Sequence, residues 1–175
     1  MMDVHPENHF KYCPRCAAKG AFNVKNFSFK CHSCDFQFFL NSAAAVTALI
    51  FNEKDELLLT RRAVEPEFGK LDLPGGFVDP MESAEHALLR EIKEELDLEP
   101  EQISFFGSFP NEYLFSGTSV FTVDLVFNCV VSDFSSLTCR DDIMGLEFIK
   151  PTEIDLKEIP FQSVKNILKR IQNEE

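Results

Sequence analysis

The sequence predicts a mixed α/β domain preceded by a small, metal-stapled β appendage. Three observations carry that expectation. Strand-like runs are interrupted by one central and one terminal helical pattern. Four of the six cysteines form two short pairs inside the first forty residues. The 175-residue chain, 45% hydrophobic and 26% charged, is also long enough to bury the core of one main domain.

The pairs Cys13-Pro-Arg-Cys16 and Cys31-His-Ser-Cys34 have the spacing at which a tight knuckle aims two thiolates at one tetrahedral Zn²⁺. Between them, Phe22, Val24, Phe27 and Phe29 follow a strand-like alternation, which predicts a short hairpin joining the knuckles. Residues 1–40 thus resemble a zinc ribbon, because so short a segment does not hold itself together without a metal or a crosslink. The alternative for the four thiols is reduced cysteines in a loop or a redox pair. His32 reads as an exposed neighbour, and Cys129 and Cys139 as buried small hydrophobes.

In residues 41–175, AAAVTALIF, NEKDE and LLLTRR read as strand, turn, strand, with Asn52 to Glu56 as the tip. From Glu82 to Leu96 the period becomes helical: Ala84, Leu88, Ile92 and Leu96 recur at i+4 with Ala87 beside them, and Asp79 or Pro80 sits near the start. Strand-like runs follow at Ile103 to Phe109, Val120 to Val131 and Met144 to Ile149. A last helix opens near Pro160, with Phe161, Val164, Ile167, Leu168 and Ile171 on one side.

The chemistry concentrates on the central helix. Glu91 and Glu95 lie one turn apart, and Glu94 adjoins their face. Like charges at this spacing destabilise an isolated helix by a few tenths of a kcal/mol per pair, so the pattern makes sense if a divalent cation neutralises it. Carboxylate oxygens select Mg²⁺ or Mn²⁺ over zinc. The preceding Leu73-Pro74-Gly75-Gly76 predicts a tight turn where bare backbone can approach an anion or offer a carbonyl to a metal. The plainer reading is a solvated acidic helix face.

Against that reading stands a register: Gly76, five residues, Glu82, seven residues, Arg90-Glu91, an aliphatic, one residue, Glu94-Glu95, and aliphatic Leu98. It resembles the box of the Nudix hydrolases, and six identities match by chance on the order of 10⁻⁷ times per window. One position departs, Asp97, where the family usually has the Gly that ends the helix. Asp tolerates the left-handed conformation needed there at some cost.

The resemblance covers residues 43 to about 173 and implies an α/β/α sandwich with a mixed sheet. It also implies a Mg²⁺-dependent hydrolase that cuts the pyrophosphate bond of a nucleoside diphosphate linked to another group. On that resemblance Glu91, Glu94 and Glu95 coordinate metal, with the Gly76 carbonyl as a further ligand, and Glu91 or Glu94 acts as base. Glu82 and Arg90 form an ion pair that orients the helix against the loop. A base from a late loop is the other possibility, for which Asp141, Asp142 and Glu147 are the candidates.

A ribbon ahead of a Nudix box resembles the NADH pyrophosphatase branch, although that branch carries Ser-Gln-Pro-Trp-Pro-Phe-Pro after the box and this chain has no Trp. It offers Gly107-Ser-Phe-Pro-Asn-Glu-Tyr-Leu-Phe115 instead, in which Tyr113 or Phe115 could stack on a base. Phe68, Arg61 and Arg62 are further candidates for base and phosphate contacts. ADP-ribose, diadenosine polyphosphates and nucleoside triphosphates remain open as substrates. A second class of function is a non-catalytic ligand sensor or regulator on the same scaffold. It predicts a broken carboxylate set or a DNA-binding appendage, and the carboxylate set is intact.

Charge weighs against a third class, a nucleic-acid binder. The ribbon carries five basic residues (Lys11, Arg15, Lys19, Lys25, Lys30) and three acidic ones (Asp3, Glu7, Asp35), a formal +2, which leaves −14 for the rest of a chain at −12. Four thiolates on one Zn²⁺ add about −2 to the ribbon, so no basic stripe remains to follow a phosphate backbone. The longest uncharged apolar stretch, near Ala43 to Phe51, is short of the roughly 18 residues that span a bilayer, and the N-terminus lacks an apolar signal core. The expectation is a soluble cytoplasmic protein acting on a small nucleotide, with a homodimer possible as in many relatives.

Overall fold

The computed structural model describes residues 4–174; Asp3, counted in the charge above, lies outside them. The chain divides into two compact units. One runs to Ser42 and takes in Glu112–Phe121; the other comprises Ala43–Asn111 and Thr122 onward.

In the first unit β1 (Gly20–Asn23), β2 (Ser28–Cys31) and β3 (Gln37–Phe39) form an antiparallel sheet, with Phe22 opposite Phe29 and Phe29 opposite Phe38. The hairpin between the knuckles is therefore present. Val24 and Phe27 fall in its turn rather than on its strands, Phe27 at φ 48°. Phe29, Cys13 and Cys31 are buried, ringed by Phe10, Phe22, Phe36 and Phe38. That is too little apolar surface to fold so short a segment unaided.

The strands after β3 form two sheets. β7 (Gly75–Phe77), β4 (Ala43–Ile50), β9 (Thr118–Val130) and β8 (Gln102–Phe115) lie side by side in that order, and β10 (Ile143–Ile149), β5 (Leu57–Arg62) and β6 (Leu71–Asp72) form the other. β4 runs parallel to β9 and antiparallel to β7, so the four-stranded sheet is mixed. The sequence-based hairpin of β4 and β5 is real only at its tip. Asn52 closes the turn by accepting the Lys54 and Glu56 N–H groups, but the strands meet at the single bridge Phe51 to Leu57 before entering different sheets.

Alternation along these strands places two helices. Val46, Ala48, Ile50 and Leu58 point into one core with Ala87, Leu88, Ile92 and Leu96 of α1 (Ala84–Leu96). Leu49, Leu57 and Leu59 point into another with Val164, Ile167, Leu168 and Ile171 of α2 (Gln162–Glu174). A strand buried on both faces reads as a continuous apolar run, which is why AVTALI shows no polar alternation. β8 extends past the run read from sequence, to Phe115, and Ser116 and Gly117, both at positive φ, connect it to β9. Cys129 is buried as expected. Cys139 is exposed, because it lies in the irregular segment after β9 rather than on a strand.

Candidate active site

The helix that carries the carboxylates starts at Ser83, one turn later than Asp79 or Pro80. Ser83 Oγ accepts the His86 N–H at 3.2 Å. The helix stops at Asp97, whose left-handed backbone (φ 56°, ψ 29°) closes the last turn through an N–H to the Lys93 carbonyl.

The Leu73 to Gly76 turn is fixed from both sides. Gly75 has φ 146°, and a Cβ there would lie 2.0 Å from the Val46 carbonyl oxygen. A Cβ at Gly76 would lie 2.4 Å from the Glu91 carboxylate. Ala48 donates its N–H to the Pro74 carbonyl at 2.8 Å, and Gly75 donates its own to Glu95 Oε2 at 3.0 Å. Small residues at these positions let strand, turn and helix approach closely enough for Glu91 and Glu95 to sit against backbone.

Arg90 ties the site together. Its Nε and Nη2 grip both oxygens of Glu82 at 3.0 and 2.8 Å, Nη2 also reaches the Phe77 carbonyl at 3.0 Å, and Nη1 reaches Glu91 at 2.8 Å and Glu94 at 3.2 Å. The Arg90 hydrogen bonds, aided by the Asp79 N–H, hold Glu82 down to about 2. Glu91 and Glu95 behave otherwise. Burial is the main reason Glu95 is pushed up to about 8. The Gly75 N–H opposes it, and the charges of Glu91, Asp72 and Asp142 add to it. Burial also raises Glu91, against the lowering effect of Arg90 and with additions from Glu94 and Asp141.

These charges show which acids share the field. Asp141 and Asp142, the late-loop candidates, act on Glu91 and Glu95. Glu147 is instead paired with Arg61 on the β5–β10 ladder. Asp72, which the sequence reading missed, belongs to the group. Burial drives it up to about 6 even with Arg62 Nη1 at 2.9 Å. Its only signal in the sequence was an acid just ahead of Leu73-Pro74-Gly75-Gly76.

Whether this set suits a divalent cation turns on its donors. They are carboxylate oxygens of a mutually repelling group that runs from buried Glu95 through half-buried Glu91 to exposed Glu94, the chemistry that Mg²⁺ or Mn²⁺ relieves. Arg90 Nη1 bridges the Glu91 and Glu94 carboxylates, at 2.8 and 3.2 Å. Among the described residues, the group of His, Cys, Asp or Glu whose ligand atoms all fall within 4.8 Å of one another is Cys13, Cys16, Cys31 and Cys34. Cys13 and Cys34 sulfurs are 3.7 Å apart, those of Cys16 and Cys31 3.6 Å. A tetrahedral zinc with bonds of about 2.3 Å sets its sulfurs about 3.8 Å apart, so the four fit that ion. Both knuckles add an N–H to a sulfur, Arg15 to Cys13 and Ser33 to Cys31, each at 3.4 Å. The Ser33 N–H leads in drawing Cys31 down to about 7. Cys16, despite the lowering Ala18 N–H, is driven up to about 12 with its sulfur neighbours adding to the rise. Four such thiols do not all ionise together without a cation.

A family model described as NUDIX domain matches residues 41–169. The chain belongs to the Nudix family. An ADP-ribose pyrophosphatase from Methanocaldococcus jannaschii is 32% identical over 126 residues, covering 71% of this chain and 69% of that protein. An "NAD-capped RNA hydrolase NudC" from Vibrio atlanticus is 22% identical over 167 residues. That match takes in 94% of this chain, which spans 61% of the Vibrio protein's length. The crystal structure of a Nudix hydrolase from Nitrosomonas europaea matches with a TM-score of 0.65 and 20% identity, over 94% of this chain and 92% of that one, a likeness of fold.

The candidate substrate contacts of the Nudix unit divide. Arg61 donates to Glu147 and to the Gly69 carbonyl at 2.7 Å. Arg62 donates to Asp72 and to the Pro66 carbonyl, and lies 5.0 Å over the Phe161 ring. Both arginines are thus held by other groups. Phe68 is exposed, in the loop between β5 and β6. Tyr113 and Phe115 belong to the first unit. No helix of the described residues is long and apolar enough to cross a membrane.

Proposed function

We propose that the Nudix unit hydrolyses the diphosphate bond of a nucleoside diphosphate linked to a second group, with a dinucleotide such as NADH as the substrate class. The observation that carries this reading is the pair of buried Glu95 and half-buried Glu91, with Glu94 beside it, held against the Gly75–Gly76 turn by Arg90 and Glu82. In this reading Glu91, Glu94, Glu95 and the Gly76 carbonyl would hold Mg²⁺ or Mn²⁺, which when bound would supply neutralisation of phosphate charge and a more acidic water. The chain's own groups do the rest. Arg90 and Glu82 fix the helix relative to the turn, and the bare backbone of Gly75 and Gly76 lets the diphosphate approach. The base is Glu91, Glu94, or one of Asp141 and Asp142, which share the field of the cluster. Residues 1–40 act as a zinc-stapled domain, and Phe68 is a stacking candidate for a base.

ADP-ribose is the second reading, favoured by the identity to the Methanocaldococcus pyrophosphatase over 71% of this chain. The name of the Vibrio relative concerns a capped RNA. With −12 on this chain the proposal stops at the dinucleotide, because nothing compensates the repulsion of an RNA body. A panel of NADH, ADP-ribose, diadenosine polyphosphates and nucleoside triphosphates with Mg²⁺, with products identified, tests it. Release of two mononucleotides from NADH supports the first reading, AMP and ribose phosphate from ADP-ribose the second, and hydrolysis of none of them overturns both.

A further inference from the structure

We propose that Asp97, the residue that departs from the family's glycine, is a positioning residue. Together with Arg140 it straps the late loop to the end of α1 and so fixes Asp141 and Asp142 beside Glu91 and Glu95. The proposal rests on the reading that the late-loop acids take part in hydrolysis.

Glycine at the end of α1 would adopt the left-handed conformation without strain, whereas Asp97 holds φ 56° with a side chain attached. That side chain is fully used. Lys93 Nζ sits 2.9 Å from Oδ1, and Arg140 Nη2 sits 2.7 Å from Oδ2. The backbone around it is used as well. The carbonyls at a helix C-terminus are ordinarily left without intrahelical partners, and here the late loop supplies three of them in succession. Arg140 N–H donates to the Glu95 carbonyl at 2.9 Å, Thr138 N–H to the Leu96 carbonyl at 3.1 Å, and Ser136 Oγ to the Asp97 carbonyl at 2.8 Å. Phe134 and Leu137 of the same loop pack on the core that α1 faces.

Immediately beyond Arg140 the chain reverses at Asp141, itself left-handed at φ 53°. It is pinned again where the Asp142 carbonyl accepts the Ala63 N–H at 2.7 Å and Ile143 enters the core. Asp141 and Asp142 therefore hang between two anchors, and the Asp97–Arg140 pair is the side-chain part of the first. A residue that serves only to end a helix needs no carboxylate. A residue that must place its loop neighbours within a fraction of an ångström of a reacting group does, since misplacement of about 1 Å can lower a rate on the order of 10²-fold.

The substitution that separates these roles is Asp97→Gly, which removes the strap while relieving the backbone. It is compared with Asp97→Asn, Arg140→Ala, the double variant Asp97→Gly with Arg140→Ala, and Arg140→Lys, all in the full chain with Mg²⁺ on the better of NADH and ADP-ribose. Asp97→Gly is expected to melt at or above the parent's temperature, yet to lower kcat about tenfold with KM within about twofold. Amide exchange at 138–142 should rise while the body of α1 stays protected. Arg140→Ala should match it, the double variant should lose no more than either single, and Arg140→Lys should recover part of the loss. A lower melting temperature with unchanged kcat makes Asp97 a structural cap and overturns the proposal. Asp142→Asn and Asp141→Asn tell the two failures apart. If either lowers kcat while Asp97→Gly does not, the positioning role fails and the late-loop reading stands. If neither does, the late-loop reading falls and the proposal with it.

Discussion

The backbone N–H of Gly75 donates to Glu95 Oε2 at 3.0 Å, joining the turn before the helix to a side chain near the helix's end. Glu95 is only 8% exposed at that point. The bond requires an acceptor, not a charge, and the burial around it penalises the charged form.

Glu95→Gln therefore separates stability from catalysis. The carboxyl is raised to about 8 in the folded chain and titrates near 4.3 when unfolded. As pH rises between those values the unfolded state gives up its proton first, and the parent loses stability that the amide variant keeps. In Mg²⁺-free buffer the two should be equally stable below about pH 4, with the variant ahead on the order of 4 kcal/mol at pH 7 and the gap level above pH 8. Added Mg²⁺ should stabilise the parent more than the variant. Thermal melts across this range check it, and a variant less stable than the parent at pH 7 would show that the Glu95 charge supports the fold.

The two glycines of the turn should fail differently. Alanine at Gly75 would meet the Val46 backbone, which cannot move aside, so Gly75→Ala is expected to cost about 3 kcal/mol or more. Alanine at Gly76 would meet the carboxylate end of the Glu91 side chain, which can turn aside where a backbone cannot. Gly76→Ala should cost about 1 kcal/mol in stability while turnover falls on the order of 10²-fold, because it displaces a carboxylate of the site. Urea melts beside initial rates distinguish the pair.

Arg90→Lys tests the fork. Lysine supplies a point charge but cannot grip both Glu82 oxygens, the Phe77 carbonyl, Glu91 and Glu94 together. Turnover is expected to fall at least tenfold with the charge retained. Near-normal kinetics would mean that charge alone suffices at this position.

The four cysteines predict one Zn²⁺ per chain. Elemental analysis should find it, and a strong chelator should melt the β1–β3 sheet while the α1 and α2 signals persist, because Phe29 and its ring of phenylalanines form too small a core alone. Protein free of zinc with four freely titrating thiols and an intact sheet would contradict this.

What the sequence disclosed, and what it did not, follows from the range of the interactions. The helix face of Glu91, Glu94 and Glu95 and the Glu82–Arg90 pair were legible because both lie within one local register, as were the knuckles and the apolar stripe of α1. The parting of β4 and β5 into separate sheets was not, because their tip at Asn52 is identical in either case and only packing on α1 and α2 decides it. Nor was Asp72, whose raised carboxyl comes from burial and from the charge of Asp124, 52 positions away in the chain. Like-charge repulsion, the part of the cluster legible from spacing, is the smaller cause of the raised carboxyls, and burial is the larger at both Glu95 and Glu91.

The central claim is that the Glu91 face performs diphosphate hydrolysis. The most direct measurement is the Mg²⁺-dependent rate of the parent and of Glu91→Gln on whichever of NADH and ADP-ribose is cleaved faster, with melting temperatures recorded alongside. The account predicts a fall in kcat on the order of 10² or more with the melting temperature unchanged or raised, since burial raises Glu91 as it does Glu95. A Glu91→Gln variant that hydrolyses substrate at the parent's rate would contradict it.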